Sequence, residues 1–347
     1  LNIASQNGHT EVLSLLLAKE GVDVNLANKN GRTPLNIASQ KGHTKVVQLL
    51  LAKDGVDVNK ADKIGATPVN NAISYGHMEV VSLLLADEDV DLNQSEKNGY
   101  TPLYVASEKG RAEVVSLLLA KEGVDANLAT KTGRTPLYIA IKRGHTEVVS
   151  LLLAKEGVDV NQADANGVTP LYIGSKKGLR EVLLLLLAKE GVDINRANES
   201  GVTPLYVASQ KGHTKVVSLL LAKEGVNVNQ ANKNGITPLL IASSYGHTKV
   251  VSLLLTTEGV DVNLANKYGE TPLLFASAKG HAEVVPLLLA KENVDVNLAD
   301  KNDWTPLNFA SLKGHREVVS LLLAKEGVDV NQANKEGATP LDSAWKK

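Results

Sequence analysis

Histidine offers the widest chemistry in this sequence, because its side chain can bind metals or transfer protons near neutral pH. Each of the eight histidines directly follows a glycine, and neighbouring copies are separated by one fixed interval or by twice that interval. They lie at positions 9, 43, 77, 145, 213, 247, 281 and 315. A metal site needs several ligands within about 2 Å of one ion, and side chains one repeat apart do not converge in this way. We therefore interpret the histidines as structural residues at the start of a helix, and we predict no metal site and no catalytic histidine.

Serines and glycines supply the remaining candidate motifs. A serine recurs at positions 39, 107, 175, 209, 243, 277 and 311. None of these serines lies in the G-x-S-x-G pattern that presents a catalytic nucleophile. The glycine-rich phosphate-binding patterns G-x-x-x-x-G-K-[ST] and G-x-G-x-x-G do not occur either. We predict that the protein is not an enzyme and that it needs no cofactor.

The charge balance and the absence of cysteine narrow the class of protein. The 37 Lys and Arg residues oppose 38 Asp and Glu residues, so the formal net charge is -1 and a nucleic-acid partner is not expected. A chain without cysteine forms no disulfides, which fits a reducing compartment, and we expect an intracellular, cytoplasmic protein. No apolar run approaches the roughly 18 residues that a membrane helix needs, so we expect no membrane span.

The dipeptide Thr-Pro marks an internal repeat of constant length. It begins at positions 33, 67, 101, 135, 169, 203, 237, 271, 305 and 339, and the interval never changes. This period divides the chain into a partial repeat 1–30, nine full repeats within 31–336 and a partial repeat 337–347. Because separate domains would not keep such a register, we predict a single array over residues 1–347.

The repeat over residues 31–64 predicts a hairpin turn followed by two short helices. Gly31 lies in the turn, and Thr33 caps a helix that begins at proline. Gly42 ends this first helix, and His43 opens a second one that carries the apolar run V-V-x-L-L-L. Helices this short are not stable alone, so each repeat must pack against its neighbours.

The repeated pattern G-x-T-P-L-x-x-A-x-x-x-G-H-x-x-V-V-x-L-L-L-A-x-x-G-V-D-V-N resembles the ankyrin repeat along the whole chain. The resemblance implies an all-α fold, an ankyrin-repeat solenoid of stacked hairpin plus helix-turn-helix units. Two departures stand out. The first is the 34-residue period, seen for example between Lys301 and Lys335, which is one residue longer than the commoner period. The second is that Asn, Tyr, Leu or Asp replaces the histidine of the usual T-P-L-H. In the family that histidine ties neighbouring repeats, so we expect different hydrogen bonds between the repeats of this chain.

The resemblance also implies a function, a scaffold or adaptor that binds a protein partner through the concave face of the array. Residue types vary at the hairpin tips and at the end of the first helix, which line that face in the family. The candidate partner-binding aromatic residues are Tyr75, Tyr100, Tyr245, Tyr268 and Trp304. The candidate basic residues are Lys109, Lys131, Arg143, Lys177, Lys211 and Lys233. This basic stripe predicts an acidic protein partner attracted by long-range electrostatics.

Several of these interpretations have alternatives. The basic stripe also fits solubility combined with charge pairing between repeats. A second tyrosine set, at 104, 138, 172 and 206, fits packing between repeats better than a stripe that faces a partner. For the function, the alternative is a structural protein that self-associates by repeat stacking into fibres or tubes, because no polar capping repeat is visible at either end. A chain that is an excerpt of a longer protein would show the same ends.

Irregular repeats give further expectations. Asp89 and Asp303 replace glycines that are expected to have positive φ, and Pro286 enters a second helix where it should disturb the first turns. Leu184 replaces an outward serine beside Leu179 and Leu183, which predicts a local apolar patch. The asparagine that ends V-D-V-N is expected to hydrogen-bond the loop backbone. By resemblance to the family, that asparagine is alternatively a hydroxylation site.

Overall fold

A computed structural model describes residues 1–345, and these residues contain helices and turns but no strand. The predicted all-α fold is therefore confirmed. The chain divides into two compact units, unit 1 over Leu1–Ala165 and unit 2 over Asn166–Lys347. The last two residues of the predicted partial repeat 337–347 lie outside the described residues. A single array over residues 1–347 stays a prediction.

Both units consist of helix pairs. In unit 1 the helices are α1 (Asn2–Asn7), α2 (Thr10–Leu17), α3 (Pro34–Lys41), α4 (Thr44–Leu51), α5 (Pro68–Tyr75), α6 (Met78–Leu85), α7 (Pro102–Lys109), α8 (Ala112–Leu119), α9 (Pro136–Arg143) and α10 (Thr146–Ala154). In unit 2 they are α11 (Pro170–Lys177), α12 (Arg180–Leu187), α13 (Pro204–Gln210), α14 (Thr214–Leu221), α15 (Pro238–Ser244), α16 (Thr248–Leu255), α17 (Pro272–Lys279), α18 (Val285–Leu289), α19 (Pro306–Lys313), α20 (Arg316–Leu323) and α21 (Pro340–Trp345).

The Thr-Pro dipeptide starts the first helix of a repeat, as predicted. In α3 the Thr33 hydroxyl accepts a hydrogen bond from the Asn36 N–H, and the Asn36 side chain in turn accepts one from the Thr33 N–H. This reciprocal cap satisfies backbone donors that lack a partner within the helix. Gly42 follows α3 with φ 75°, and its N–H donates to the Ala38 carbonyl, which ends the helix.

The predicted hairpin is a tight turn with no flanking strands. Asn28 and Arg32 close it through their backbones, since the Asn28 N–H donates to the Arg32 carbonyl at 2.9 Å. The Asn28 side-chain oxygen also accepts from the N–H groups of Asn30 and Arg32. Gly31 has φ 75°, and a Cβ atom there would lie 2.9 Å from the Lys63 nitrogen of the next repeat. Glycine is therefore needed both for the turn and for the close approach of the following turn.

The core of each unit lies between successive helix pairs. Val46 and Leu50 of α4 are fully buried, and so are Val216 and Leu220 of α14 in unit 2. The short helices bury these side chains against neighbouring repeats, because α2 packs on α4 and α12 packs on α14. Stacking therefore supplies the buried apolar area that one pair of eight-residue helices lacks.

The irregular repeats gave mixed outcomes. Pro286 shortens α18 to five residues, as expected, because proline is accepted only in the first turn of a helix. Asp303 has φ 59°, also as expected, and it is the one non-glycine with positive φ in the described part of the chain. The prediction for Asp89 was wrong, since its backbone keeps a negative φ and its N–H bonds the Asp87 carboxylate at 3.0 Å.

The apolar patch predicted in repeat 167–200 is smaller than expected. Leu183 is fully buried in the core of unit 2, so it cannot belong to a surface patch. Leu179 is half-buried, and only Leu184 of the three leucines is well exposed. A single exposed leucine is normal for a protein surface and identifies no contact site.

Candidate interaction surface

Four positions of a repeat lie on one side of it, and in unit 1 their side chains contact those of the next repeat. They are the first and last residues of the turn (28 and 32 in one repeat) and the last two residues before the glycine that follows the first helix (40 and 41), together with the equivalent residues of the other repeats. The Arg32 guanidinium donates to the Gln40 side chain at 3.1 Å within one repeat, and to the Asp62 carboxylate of the next repeat at 3.2 Å. The Gln40 amide then donates to the Tyr75 hydroxyl at 2.8 Å. We call these positions together the turn-side surface. The turn-start position is equivalent to residue 28 and the turn-end position to residue 32. The two helix-end positions are equivalent to residues 40 and 41.

The turn-side surface of unit 1 is rich in charges that pair with one another. Asp62 occupies a turn-start position, where its carboxylate is almost fully buried and pairs with Arg32. Asp164 is its equivalent at the far end of unit 1, and it accepts a hydrogen bond of 3.0 Å from the Tyr138 hydroxyl. The Arg134 guanidinium lies 4.0 Å from the same carboxylate and 5.7 Å from the centre of the Tyr138 ring. The buried carboxylates of unit 1 thus have cationic or hydroxyl partners supplied by the preceding repeat.

In unit 1, burial and acidic neighbours raise the pKa values of Tyr138 and Glu96. Burial, the hydrogen bond to Asp164 and the charge of Asp164 together raise the pKa of the Tyr138 hydroxyl to about 12. Burial raises the pKa of the Glu96 carboxyl, and the nearby carboxylates of Asp62 and Glu108 raise it further. Glu96 is a turn-start residue, as are Asp62 and Asp164. The turn-start position therefore holds an acidic residue in three repeats of unit 1.

The turn-side surface of unit 2 has a different chemistry. Its first three turn-end residues are Val168, Val202 and Ile236, which are partly exposed apolar side chains. Lys177 and Lys211 occupy helix-end positions beside this column and are exposed. Within the described residues these two lysine side chains form no ion pair or side-chain hydrogen bond. Unit 2 therefore presents unpaired positive charge next to apolar side chains.

The five predicted aromatic residues fall into two groups. Tyr75, Tyr245 and Tyr268 are 56–57% exposed, which leaves most of each ring open to contact. Tyr100 and Trp304 are half-buried at turn-end positions, because Tyr100 stacks on Tyr104 and Trp304 packs against Phe309 with about 5 Å between the ring centres. The exposed tyrosines are the better candidates for anchoring a partner.

The six predicted basic residues are all exposed, but their pairing differs. Lys109, Arg143, Lys177 and Lys211 occupy helix-end positions, whereas Lys131 and Lys233 follow the turn-start residue. Arg143 donates to the Glu108 carboxylate of the preceding repeat at 2.5 Å, and this hydrogen bond and charge raise the pKa of its guanidinium. The pairing of Arg143 agrees with the alternative that some basic residues serve contacts between repeats. Partner binding by these aromatic and basic residues stays a prediction.

The histidines link neighbouring repeats, which agrees with their structural interpretation. His43 Nε2 lies 3.1 Å from the Gln6 carbonyl of the preceding repeat, and six further histidines make the equivalent contact. Because a carbonyl only accepts hydrogen bonds, Nε2 must carry the proton. A Cβ atom on Gly8 would lie 2.9 Å from the His43 ring, so the glycine makes room for it. No group of three side chains suited to hold a metal occurs among residues 1–345.

Asparagine and tyrosine occupy the position of the missing T-P-L-H histidine in several repeats. The Asn36 amide donates to the Lys60 carbonyl of the next repeat at 3.0 Å. Tyr104, Tyr138, Tyr172 and Tyr206 are buried at the same repeated position, as expected from packing between repeats.

The asparagine that ends V-D-V-N bonds the loop backbone of the next repeat. Asn25 donates to the Gly55 carbonyl at 2.7 Å and accepts from the Asp57 N–H at 2.9 Å.

Sequence reasoning missed the acidic turn-start residues Asp62, Glu96 and Asp164 and the apolar turn-end residues Val202 and Ile236. Their signal was present, because both positions vary between repeats that agree at most other positions. The turn-start and turn-end residues are recognisable as parts of one surface only when the contact between a turn and the next repeat is known. The helices described in residues 1–345 include none long and apolar enough to cross a membrane.

Comparison with known proteins places the repeats in context. The family model described as ankyrin repeats (3 copies) matches residues 1–62, 55–130, 119–198, 191–266 and 255–334. No curated protein sequence matches the chain. Among solved structures, the chain is similar to the crystal structure of EF0377, an ankyrin repeat protein, with a TM-score of 0.53 and 26% sequence identity. That match covers 57% of this chain and 100% of the EF0377 chain.

Proposed function

We propose that this chain, which belongs to the ankyrin repeat family, is a non-enzymatic scaffold or adaptor that binds an acidic protein partner through its turn-side surface. Ankyrin repeats are protein–protein interaction modules, and their family is typically non-enzymatic. The finer proposal concerns the surface and the charge of the partner. A reducing, cytoplasmic location is part of the same proposal, since the sequence contains no cysteine.

One observation carries the proposal: exposed tyrosine and unpaired lysine occupy the same helix-end position of neighbouring repeats. Tyr245 is 56% exposed in the repeat that follows Lys211. Its ring stacks on His247 with 5.9 Å between the ring centres, and this contact supports the ring. An aromatic ring that is already supported loses little freedom on binding, which makes it a suitable anchor at a protein interface.

The size of the surface fits a protein partner. A standard interface buries about 800 Å² on each partner, which corresponds to roughly 20–30 residues a side. The four turn-side residues of one repeat are too few for such an interface, whereas the repeats of unit 2 taken together supply enough. We therefore expect one partner to contact several consecutive repeats.

Site-directed photo-cross-linking tests the proposed surface. A photoreactive phenylalanine analogue replaces Tyr245 on the turn-side surface or Ser218, an exposed residue of α14 outside that surface, as the matched control. Extract from the native source is irradiated with each variant, and the products are separated by mass. We expect a protein adduct at residue 245 that weakens as salt is added, and no corresponding adduct at residue 218. Equal adducts at both residues, or adducts at residue 218 only, would contradict the proposal.

A further inference from the structure

Four successive repeats of unit 2 place exposed side chains at one repeated position. Lys177, Lys211, Tyr245 and Lys279 are equivalent residues, each one repeat after the last, and all four are exposed. Helices that pack side by side lie roughly 8–10 Å apart, so neighbouring members of this row are separated by about that distance. The row therefore presents positive charge, positive charge, an aromatic ring and positive charge at nearly even intervals.

An apolar column runs beside this row. In unit 1 the Arg32 guanidinium reaches Gln40 at 3.1 Å, the residue just before the position of this row, so the turn-end residue and the end of the first helix lie on the same surface of a repeat. The equivalent turn-end residues of unit 2 include Val202 and Ile236, both partly exposed. A ligand that follows the lysine row thus also meets an apolar strip along one side.

From this geometry we infer that unit 2 binds an acidic peptide segment in the polyproline II conformation, in which every third residue faces the row and is a carboxylate except opposite Tyr245. This inference rests on the proposed function and names the class of partner for the same surface. A polyproline II helix has three residues per turn and rises about 3.1 Å per residue, so side chains on one face recur every ~9.3 Å. That interval falls within the roughly 8–10 Å expected between packed helices of neighbouring repeats. Carboxylates at positions 1, 4 and 10 would then meet Lys177, Lys211 and Lys279, and position 7 would meet Tyr245.

The other extended conformation fits this row less well. A β-strand rises about 3.3 Å per residue and returns to the same face every second residue, which gives intervals near 6.6 Å. Such a strand would place every other acidic side chain between two repeats. An α-helix reaches about 10.5 Å only every seventh residue, so it would need more than twice the length to contact the same four repeats. The polyproline II segment also has a second face for Val202 and Ile236, because its side chains point in three directions.

Unit 1 carries an equivalent exposed row, Lys41, Tyr75, Lys109 and Arg143, but two of its members already have side-chain partners. Its helix-end residues bond one another across repeats, since Gln40 donates to Tyr75 and Arg143 donates to Glu108. An acidic peptide would have to displace Glu108 before it could reach Arg143. We therefore expect the peptide to bind unit 2 more tightly than unit 1.

Fluorescence anisotropy with synthetic ten-residue peptides tests the inference on the full chain. The first peptide has glutamate at positions 1, 4 and 10, tyrosine at 7, and proline and valine at the remaining positions. A permuted peptide has the same composition but glutamates at positions 1, 3 and 5. A longer helical peptide carries its glutamates at every seventh residue. We expect the first peptide to bind at least about tenfold more tightly than the other two, with affinity falling as salt is added.

Charge reversal locates the binding site. The double substitution Lys177→Glu and Lys211→Glu should weaken the first peptide about tenfold or more, because two ion pairs are replaced by two repulsions. The matched control is Lys215→Glu with Lys249→Glu, which makes the same change in net charge on exposed residues of α14 and α16 outside the turn-side surface. This control should change the affinity by less than about twofold. Circular dichroism of both variants checks that the fold is retained.

The outcomes separate the peptide geometry from the proposed function. Equal binding of the permuted peptide, tighter binding of the helical peptide, or equal losses in the two double variants would overturn the polyproline II inference. If no peptide binds while residue 245 still cross-links to a protein, the geometry is wrong and the function stands. If residue 245 gives no adduct and no peptide binds, both proposals fail.

Discussion

Unit 1 and unit 2 follow the same repeat plan but use their turns differently. The turn-end position holds Arg32 and Arg134 in unit 1, whereas it holds Val202 and Ile236 in unit 2. The arginines reach acidic turn-start residues of the next repeat, whereas the apolar residues can form no such ion pair. A chain of nearly identical repeats can therefore keep one core and still build two surfaces, one with charged contacts between its turns and one with apolar side chains in their place.

The largest expected effect concerns what the two units share. Leu50 of α4 and Leu220 of α14 occupy the same repeated position, and both are 0% exposed. We expect Leu50→Ala and Leu220→Ala each to lower the free energy of unfolding by about 3 kcal/mol, since each leaves a similar cavity. Chemical denaturation of the two variants measures this. Losses that differ by more than about 1 kcal/mol would show that the cores are not equivalent, and the comparison of surfaces would then lack a common reference.

The turn-start residue should matter more in unit 1 than in unit 2. Asp62 accepts hydrogen bonds from the N–H groups of Ile64 and Ala66 and also pairs with Arg32. Its equivalent Asn232 accepts two backbone hydrogen bonds of the same kind, and its amide donates weakly to the Tyr206 hydroxyl at 3.4 Å.

We expect Asp62→Ala to cost about 2.5 kcal/mol in the free energy of unfolding and Asn232→Ala about 1.5 kcal/mol. Asp62→Asn keeps the turn but loses the charge, so it should fall between the wild type and Asp62→Ala. Thermal and denaturant unfolding measure the three losses. An Asp62→Asn variant as unstable as Asp62→Ala would mean that the charge, and not the turn geometry, accounts for the whole effect.

The two buried tyrosine hydroxyls provide a finer comparison. Tyr138 donates to the Asp164 carboxylate at 3.0 Å in unit 1, whereas Tyr206 accepts only the long hydrogen bond from Asn232 in unit 2. A hydrogen bond to a charged acceptor contributes more, so we expect Tyr138→Phe to cost about 1.5 kcal/mol and Tyr206→Phe about 0.5 kcal/mol. Equal losses in equilibrium unfolding would remove the distinction between the charged contacts of unit 1 and the neutral contacts of unit 2.

The smallest expected effect is a pH dependence confined to unit 1. The folded-state pKa of Glu96 is raised above its usual value of 4.5 by burial, then by Asp62 and Glu108. The folded chain therefore holds this proton more tightly than the unfolded chain, and the resulting stability is present below pH 4.5 and lost as the pH rises through the folded pKa.

Glu96→Gln removes this titration. The variant should gain thermal stability relative to the wild type at pH 7, while at pH 4 the two melting temperatures should be close. Asn198→Gln changes the uncharged turn-start residue of unit 2 and should give the same difference from the wild type at both pH values. A pH-dependent difference in the Asn198 variant, or none in the Glu96 variant, would contradict the prediction.

Much of the fold follows from the sequence because the signals are local. Thr33, Pro34 and Gly42 specify where a helix begins and ends through caps that involve only nearby residues. Asp89 shows the limit of this reasoning: glycine has positive φ at that position in other repeats, yet the turn accommodates aspartate by bonding Asp87 with a different backbone conformation. Local sequence indicates that a turn is present, but it does not determine which of several turn conformations the chain adopts.

The candidate surface was less predictable, because its contacts join residues of successive repeats. The sequence shows that Arg143 is basic and lies at a variable position, but not that Glu108 of the preceding repeat neutralises it. Likewise, Tyr100 and Trp304 are predicted as exposed anchors, whereas their neighbours Tyr104 and Phe309 cover part of each ring. Which variable residues stay available depends on the register between repeats, and this register is a property of the packed structure.

The ties between repeats also constrain how such a chain can change length. Asn25 bonds residues 30 and 32 positions ahead, and His43 bonds a carbonyl 37 positions behind. Insertion or deletion of one complete repeat brings an equivalent residue to each of these places, so every bond is restored. A segment one residue shorter would leave these donors and acceptors mismatched at the junction. Duplication and loss of genetic segments can therefore alter the number of repeats in whole steps, whereas single-residue indels within a repeat are selected against.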